Sequence, residues 1–345
     1  MAHGLFARVP AMWSLLVPLL EPARAPPRLQ MTLYVLQRLG SIVVVLVLIS
    51  IIIFVAIHVL PGSAATLILG EYATPEALRA LEREMGLDRP LPLQYAGWVR
   101  DVLTGDWGDS LAMKQPVVSV VGLRLRNSAT LAAAALVIVV CVAIPLGAAA
   151  ALGRGGPVDL AIVTATYVGI SIPEFVTGLG LLLLLAGPSV QWFPTGGYAE
   201  LSAGILTWAR HLVLPAATLT IVLIAHVVRQ TRSGLADVLA SPYIRTARLK
   251  GASERRVVVR HALRNGLLPT ITVLALDLGY LMGGIVVVEE VFAYPGMGRL
   301  MIYAVQNRDI PLLQMCVLIV ASVYALANFA ADLLYAWLDP RIRYR

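Results

Sequence analysis

The sequence has few charged residues and almost no cysteine. Only 14% of its 345 residues are charged, whereas 59% are hydrophobic and the mean hydropathy is +0.80. Soluble domains carry about 25% charged residues, so this composition excludes a soluble fold for most of the chain. The two cysteines, Cys141 and Cys316, both lie in apolar runs. That placement excludes a disulfide framework and a cysteine metal motif.

The sequence also lacks the motifs of several enzyme classes. It contains no H-E-x-x-H zinc motif and no G-x-S-x-G nucleophile elbow. The G-x-x-x-x-G-K-[ST] loop that cradles nucleotide phosphates is absent as well. We therefore expect no catalytic residue, no metal and no cofactor. If the protein uses ATP, another subunit must bind it.

What the sequence has is long apolar runs. About 20 apolar residues are needed to cross the hydrocarbon layer as a helix. Six segments meet that length closely enough to predict spans one to six, at residues 41–60, 129–152, 160–186, 212–228, 271–288 and 312–338. We therefore predict an all-α polytopic membrane protein with six transmembrane helices and both termini on one side.

The distribution of basic residues predicts the orientation of these spans. The net charge is +7, and seventeen of the 27 lysines and arginines lie on the side of the segment 229–268. Lys and Arg are retained on the cytoplasmic side, so we expect 229–268 and both termini to be cytoplasmic and 61–128 to be a long external loop. Arg124 and Arg126 run against this rule. The same retention accounts for the basic balance, and no nucleic-acid partner is expected.

The ends of the chain and the external loop have features of their own. Residues 1–30 contain five prolines and one apolar run that is too short to cross a membrane. Met31 would be a natural first residue for a protein whose first span follows at once. We expect residues 1–30 to be a disordered extension or a start-site artefact, and 31–345 to be the transmembrane domain. In the external loop, Thr74 and Pro75 open a predicted surface helix.

The segment 241–269 predicts two short helices broken at a glycine. Ser241 suits the N-cap and Pro242 the first helical position, where no N–H is needed. Gly251 ends the first helix, because glycine adopts the left-handed conformation without steric cost. Ser253 can cap the second helix, with Glu254 near its positive end. A basic segment tethered this closely between two spans favours lipid headgroups or a cytosolic protein over DNA.

Polar residues inside the predicted spans are the candidates for a translocation path. Pro173 should kink span three, and Glu174 follows it at a depth where an ionisable group is expensive. Glu174 either lines a path and meets a cationic group, or is a hydrogen-bonded carboxyl buried between helices. Asp277 is a weaker candidate of the same kind. We expect the isolated His58 and His226 to be structural, and the Gly279–Gly283 spacing to support helix packing.

Several ordered motifs resemble one transporter family. The segment YIRTARLKGASERRVVVRHALRNGLLP (243–269) is similar to the cytoplasmic signature loop of ABC importer permeases of the dipeptide, oligopeptide, glutathione and nickel branch. The further motifs are HVLPG (58–62), MGLDRPLPLQY (85–95), GDWGDSL (105–111), SIPEF (171–175), PTGGY (194–198), VVVEEVFAYPGMGRLM (286–301) and DLLYAWLDPRIRY (332–344). The resemblance runs from about Met31 to the C-terminus. Ser63 stands where the family usually has aspartate.

The resemblance implies the type I ABC importer permease architecture in a bacterial inner membrane. It further implies a second homologous permease, two cytosolic ATP-binding subunits and an external substrate-binding protein as partners. The residues that it places against the ATPase are Tyr243, Arg245, Thr246, Ala247, Arg248, Lys250, Gly251 and Glu254. Two alternatives stay open, an ion-gradient-driven secondary transporter and a scaffold without transport. The substrate could be a dipeptide, a longer peptide, glutathione or a nickel chelate.

Overall fold

The computed structural model describes residues 27–59, 69, 74–84 and 88–338. Within these ranges the chain has no β-strand, and one isolated bridge joins Asp109 to Pro116. Residues 1–26 lie outside the described part, while the first helix already includes residues 27–30. The boundary expected at residue 31 therefore stays a prediction.

The described chain is almost wholly helical. Its helices, in chain order, are α1 (Pro27–Val59), α2 (Pro75–Glu84), α3 (Leu91–Thr104), α4 (Val117–Leu152), α5 (Pro157–Ser171), α6 (Glu174–Leu181), α7 (Ile205–Leu239), α8 (Pro242–Leu249), α9 (Glu254–Arg256), α10 (Leu263–Gly266), α11 (Leu268–Val291), α12 (Met297–Gln306) and α13 (Ile310–Leu338). Wider π-helical turns follow α6 at Leu182–Ala186 and link α9 to α10 at Val257–Ala262. A short 3-10 turn occupies Leu201–Ala203.

The six predicted spans are confirmed, four as single unbroken helices and two as bent ones. Helices α1, α4, α7 and α13 are each long and apolar enough to cross a membrane. Span three is the pair Pro157–Ser171 and Glu174–Ala186, bent by 104°, and span five is α11, bent by 54° between Leu281 and Gly283. The kink predicted at Pro173 is thus a complete break of the helix.

Spans two and four are longer than their apolar runs predicted. Helix α4 begins at Val117, so the last residues of the predicted external loop 61–128 are its first three turns. Helix α7 continues to Leu239, so residues 229–239 of the predicted loop are a helical extension of span four. Polar residues can extend a helix beyond the hydrocarbon, because only the part inside it must be apolar.

Span four lies at the centre of the bundle. In its most apolar stretch 67% of residues are buried, against 17% in span one, whose valines and isoleucines remain exposed as lipid-facing residues do. Span two packs along it through buried apolar residues four apart, including Leu131, Ala135 and Val139. At Gly147 an added Cβ would lie 2.6 Å from the Cβ of Thr231, so only glycine permits this approach.

The close helix packing predicted for Gly279 and Gly283 is confirmed at Gly279 but not at Gly283. At Gly279 a Cβ would meet the Asn328 side chain of span six at 3.0 Å, which confirms a close helix contact. At Gly283 nothing lies within 4 Å, so that part of the prediction is wrong. The bend in α11 falls between the two glycines.

The described residues of the external loop include a surface helix and a segment that is fixed to span six. The predicted surface helix is confirmed as α2, where the Thr74 hydroxyl accepts the Ala77 N–H at 3.3 Å. Beyond α3 the chain turns back, and buried Asp309 holds it through the Ser110 hydroxyl at 2.5 Å and the Ala112 N–H at 3.0 Å. This loop is therefore fixed to the start of span six.

Candidate functional site

The segment 240–267, called the coupling loop from here on, begins with helix α8. Pro242 occupies its first turn, as predicted, and Ser241 has the extended backbone of an N-cap. Ser241 and Ser253 both occupy the predicted N-cap positions, but neither bonds its helix through its hydroxyl. Ser241 instead donates to the Val238 carbonyl at 2.5 Å. Helix α7 ends only two residues earlier, so its unpaired carbonyls compete for the hydroxyl.

Gly251 forms the turn between α8 and α9. Its φ is +77°, which confirms the predicted left-handed conformation. The Gly251 N–H bonds the Arg248 carbonyl at 2.9 Å, and the Ala252 N–H bonds the Ala247 carbonyl at 3.2 Å. This pair of bonds is a Schellman motif, which satisfies carbonyls left free at a helix end. No atom lies within 4 Å of an added Cβ, so the backbone angle alone demands glycine.

Two side-chain contacts brace this turn. The Arg248 guanidinium donates to both Glu254 oxygens, at 2.8 and 3.1 Å, and this hydrogen bonding raises the pKa of Arg248 above its usual range. Tyr243 donates to the His261 carbonyl at 3.2 Å and accepts from the Asn265 amide at 3.0 Å. Tyr243, Arg248 and Glu254 therefore hold the shape of the coupling loop.

A buried isoleucine anchors the coupling loop to the bundle. Ile244 is 0% exposed and packs with Leu235 of span four and with Val257, and Ala247 joins the same cluster at its edge. Among the predicted coupling residues Ala247 therefore faces inward. Sequence reasoning missed Ile244, although it is the one large apolar residue in the first turn of a polar helix. A Cβ on Gly234 would collide with the Gly266 carbonyl, so the two backbones also touch directly.

The remaining face of α8 is exposed, basic and partly apolar. The side chains of Arg245 and Lys250 make no hydrogen bond or ion pair with any described residue. Leu249 between them is 80% exposed, although it lies outside the apolar spans. An exposed leucine flanked by unpaired cations is chemically suited to a protein groove with an apolar floor and an acidic rim.

The second group of polar residues lies at the break in span three. Glu174 is the first residue of α6, and its Oε1 accepts the Tyr280 hydroxyl at 2.9 Å. A Cβ on Gly284 would lie 2.8 Å from Glu174 Oε2, so glycine allows the carboxylate to rest against span five. Tyr280 itself is exposed. The carboxylate is thus positioned between two spans and beside an open surface.

Asp277 is connected to this carboxylate through two aromatic side chains. It is only 5% exposed, and its Oδ1 lies 3.3 Å from His226 Nδ1 of span four. The His226 ring stands edge-on to Tyr280, with 6.2 Å between ring centroids. Asp277 Oδ2 is buried and has no hydrogen-bond partner among the described residues. Glu174, Tyr280, His226 and Asp277 therefore form one chain of contacting side chains, in that order.

Buried Glu289, which sequence reasoning did not single out, braces the far end of span five. Its carboxylate is 0% exposed and accepts the Ser128 hydroxyl at 2.5 Å and the Gly298 N–H at 2.7 Å. The Arg299 N–H adds a third bond at 3.2 Å. The carboxylate thus caps the N-terminus of α12 and ties it to span two, as a helix dipole favours. The sequence feature that could have indicated Glu289 is the pair of adjacent glutamates, Glu289 and Glu290, inside the motif 286–301.

Neither site contains the donor set of an enzyme or a metal centre. No cluster of three or more His, Cys, Asp or Glu that could hold a metal occurs within the described ranges. The described structure combines a bundle of membrane spans, a chain of side chains at the break in span three, and the basic coupling loop. A bundle of membrane spans with polar residues at a broken helix is the architecture of a membrane transport subunit.

The comparisons with known proteins identify the family. The family model "Binding-protein-dependent transport system inner membrane component" matches residues 143–344, and the model of its N-terminal part matches residues 31–131. The chain belongs to this family. It is the multi-pass inner-membrane permease subunit of an ABC importer, and separate ATP-binding and substrate-binding proteins work with it. It is not an enzyme, since the ATP-binding partners carry out hydrolysis.

Curated relatives match nearly the whole chain. A probable peptide ABC transporter permease protein of Sinorhizobium fredii is 38% identical over 314 residues, which are 91% of this chain and 100% of the relative. The glutathione transport system permease protein GsiC of Salmonella choleraesuis is 36% identical over 90% of this chain and 99% of its own length. A putative peptide transport system permease protein of Brucella abortus is 36% identical over 91% of this chain and all of its own length.

Proposed function

We propose that this subunit imports short peptides as one half of a heterodimeric permease. The observation that carries the proposal is the set of relatives at 36–38% identity over nine tenths of the chain, two named for peptides and one for glutathione. A second, homologous permease would complete the path by facing the polar residues at the break in span three. Both termini would lie in the cytoplasm, as the positive-inside rule favours.

The coupling loop would receive the force of ATP hydrolysis. Arg245, Leu249 and Lys250 would dock in a groove of the ATP-binding subunit, because they are exposed and have no internal polar partner. Thr246 and Gly251 would complete the contact and fix the angle of α9. Closure of the ATP-binding subunits would then move the loop as a rigid body and rock the spans. Support comes from the bracing bonds inside the loop.

Pro173, Glu174 and Asp277 would belong to the translocation path. The break at Pro173 interrupts span three near the middle of its length, where irregular backbone is tolerated if it lines a cavity. Glu174 would face the solute, while buried Asp277 would support it through His226 and Tyr280. A positively charged group of the solute would therefore contact the Glu174 carboxylate.

Reconstitution tests the proposed function. The purified permease pair, ATP-binding subunits and binding protein are placed in proteoliposomes, and uptake of tri-alanine is measured. We expect uptake only with ATP and all partners present. Uptake driven by an ion gradient without ATP would support a secondary transporter instead, and uptake of no peptide by an assembled complex would refute the peptide assignment.

A further inference from the structure

A pocket opens between spans three and four, in the half of the bundle next to the coupling loop. It measures about 100 Å³. Tyr167 and Ile170 of α5 line one side, and His226, Arg229 and Arg232 of α7 line the other. None of the described residues that line it is acidic. Sites for whole small molecules begin at roughly 300 Å³, so this pocket admits a single anionic group and not a complete solute.

Only one of the two arginines in the pocket wall is neutralised. Arg232 donates to both oxygens of Asp159, at 2.5 and 2.7 Å, and the Gly155 N–H bonds the same carboxylate at 2.9 Å. Arg229 is exposed, and its side chain makes no hydrogen bond or ion pair with any residue in the described ranges. The pocket therefore keeps one uncompensated positive charge, on a guanidinium whose planar fork matches the oxygens of a phosphate.

The unpaired arginine lies where span four leaves the hydrocarbon. Arg229 directly follows the apolar run 212–228, and Arg232 is almost one helical turn nearer the coupling loop. A long basic side chain at the end of a span extends its charge to the headgroup layer, while its methylene stem stays among apolar groups. The Arg229 guanidinium is therefore at the level of the lipid phosphates.

An exposed apolar stripe adjoins the pocket. Leu160, Tyr167 and Val168 of α5 are 69%, 57% and 56% exposed, and their spacing of seven and eight residues places them on one face of the helix. Tyr167 belongs both to this stripe and to the pocket wall, so the two surfaces are continuous. Its hydroxyl makes no hydrogen bond with any residue of the described chain. A tyrosine with an apolar ring and an available hydroxyl is typical of the boundary between hydrocarbon and headgroups.

We propose that this pocket binds an anionic phospholipid, with Arg229 holding the headgroup phosphate and the acyl chains lying along Leu160, Tyr167 and Val168. Basic pockets between membrane spans bind anionic headgroups in this way. The Tyr167 hydroxyl would donate to the same headgroup. The site goes beyond the proposed function, because it involves neither the imported solute nor the ATP-binding subunits.

Two other occupants match only part of this surface. A soluble phosphate would pair with Arg229 but would leave the apolar stripe uncovered. The second permease subunit would cover the stripe, but it would need a carboxylate of its own to pair with the arginine. A phospholipid supplies the anion and the apolar chains in one molecule, so it is the occupant that fits both features.

The first experiment measures the lipid that stays bound through purification. The complete transporter is purified in mild detergent, and its phospholipids are identified by native mass spectrometry. We expect phosphatidylglycerol or cardiolipin to remain on the wild-type complex. Arg229→Gln should lower the retained amount about fivefold, as loss of one basic residue near an anionic lipid surface does, whereas Arg229→Lys should retain most of it. Arg255→Gln is the matched control, because it removes the same charge from an exposed arginine that does not line the pocket.

The second experiment needs no variant, so it remains decisive if Arg229→Gln does not assemble. The wild-type transporter is reconstituted with a phosphatidylglycerol that carries a photoreactive group in its acyl chain, and the crosslinked peptides are sequenced. Crosslinks should concentrate on α5 around Tyr167 and Val168. Excess unlabelled phosphatidylglycerol should remove them, whereas phosphatidylcholine and inorganic phosphate should not.

Four results would overturn the proposal. One is retention of the wild-type amount of anionic lipid by Arg229→Gln. Another is crosslinking spread evenly over the lipid-facing spans of the wild-type complex. Removal of the α5 crosslinks by inorganic phosphate would assign the pocket to a soluble anion. Release of the second permease by Arg229→Gln, with the lipid retained on the remaining subunits, would assign this face to the contact between the two permeases.

Discussion

Two glycines illustrate how single residues set the shape of this subunit for different reasons. Gly251 is needed for its backbone angle, because its φ is +77° and no atom crowds it. Gly296 is needed for space, because an added Cβ would collide with the buried Glu289 carboxylate. Gly251 faces the solvent, whereas Gly296 lies in a dense hydrogen-bond network. Substitution of Gly251 should therefore change the coupling of ATP hydrolysis to uptake, and substitution of Gly296 should change stability.

Replacing Gly251 with valine should uncouple ATP hydrolysis from uptake. A β-branched residue in the left-handed region costs about 1–2 kcal/mol, which tilts the turn and misplaces α9. We expect uptake per ATP hydrolysed to fall severalfold in the reconstituted transporter. Gly155→Val is the matched control, since Gly155 has a φ of +78° and equally open surroundings but lies outside the coupling loop. Equal coupling in the two variants would contradict the assigned role.

Replacing Gly296 with alanine should destabilise the whole subunit. The methyl group must displace a carboxylate that holds three hydrogen bonds, and overpacking of this kind costs about 1–3 kcal/mol. Thermal unfolding in detergent should show a lower midpoint. Gly283→Ala, where nothing lies within 4 Å, should leave the midpoint nearly unchanged. A neutral Gly296→Ala would mean that the carboxylate is not held as described.

At the scale of the element, the two faces of helix α8 have different roles. Ile244 faces inward and is fully buried, whereas Leu249 faces outward and is the most exposed side chain among its large apolar neighbours. The braces at Tyr243 and Arg248 keep the helix at a fixed angle to α9. Helix α8 can therefore pass the movement of a bound partner to the bundle, because one of its faces is buried against the bundle and the other is exposed.

Alanine substitutions on the two faces of α8 should separate these tasks. Ile244→Ala removes buried volume and should lower the stability of the subunit by about 2–5 kcal/mol, measured as thermal unfolding. Leu249→Ala should leave stability within about 0.5 kcal/mol, because the side chain is exposed. It should nevertheless weaken binding of the ATP-binding subunit by roughly tenfold, since that partner would bury the leucine. The reverse pattern would place the docking face on the wrong side.

At the scale of the molecule, ion pairs and buried carboxylates fasten the spans at both ends of the bundle. Arg38 of span one pairs with Asp332 of span six at 3.1 Å, and Arg232 pairs with Asp159 at the coupling-loop end. Glu289 and Asp309 close the opposite end through buried hydrogen bonds. Spans fastened in this way move as bodies, which suits the rocking transition proposed for transport.

Cysteine labelling tests the orientation of the whole molecule. In a Cys141→Ala background, a membrane-impermeant thiol reagent should label Lys250→Cys only after the membrane is opened from the cytoplasmic side. Lys114→Cys, in the loop at the opposite end, should be labelled on intact spheroplasts. The native Cys316 is buried and should stay unlabelled. Labelling of Lys250→Cys on intact spheroplasts would invert the orientation and remove the coupling loop from the ATP-binding subunits.

The sequence predicted the local features of the site better than its long-range contacts. Gly251, Pro242 and the break at Pro173 follow from backbone chemistry, which acts within a few residues, and all three were predicted correctly. Ser241 and Ser253 were placed correctly at the N-cap positions, but neither hydroxyl bonds its own helix, and that of Ser241 bonds a carbonyl of the preceding helix instead. Ile244 and Glu289 were missed, because their roles depend on partners distant in the chain.

By itself the sequence determined the number of spans, the lack of a nucleotide site and the glycine turn of the coupling loop. These properties depend on hydrophobic length, on motif content and on allowed backbone angles, all of which are local. Only the tertiary structure decided that Glu174, Tyr280, His226 and Asp277 form one chain, and that Arg229 opens onto the pocket beside it. The reason is that those side chains come from three spans, and helix packing alone brings them within reach.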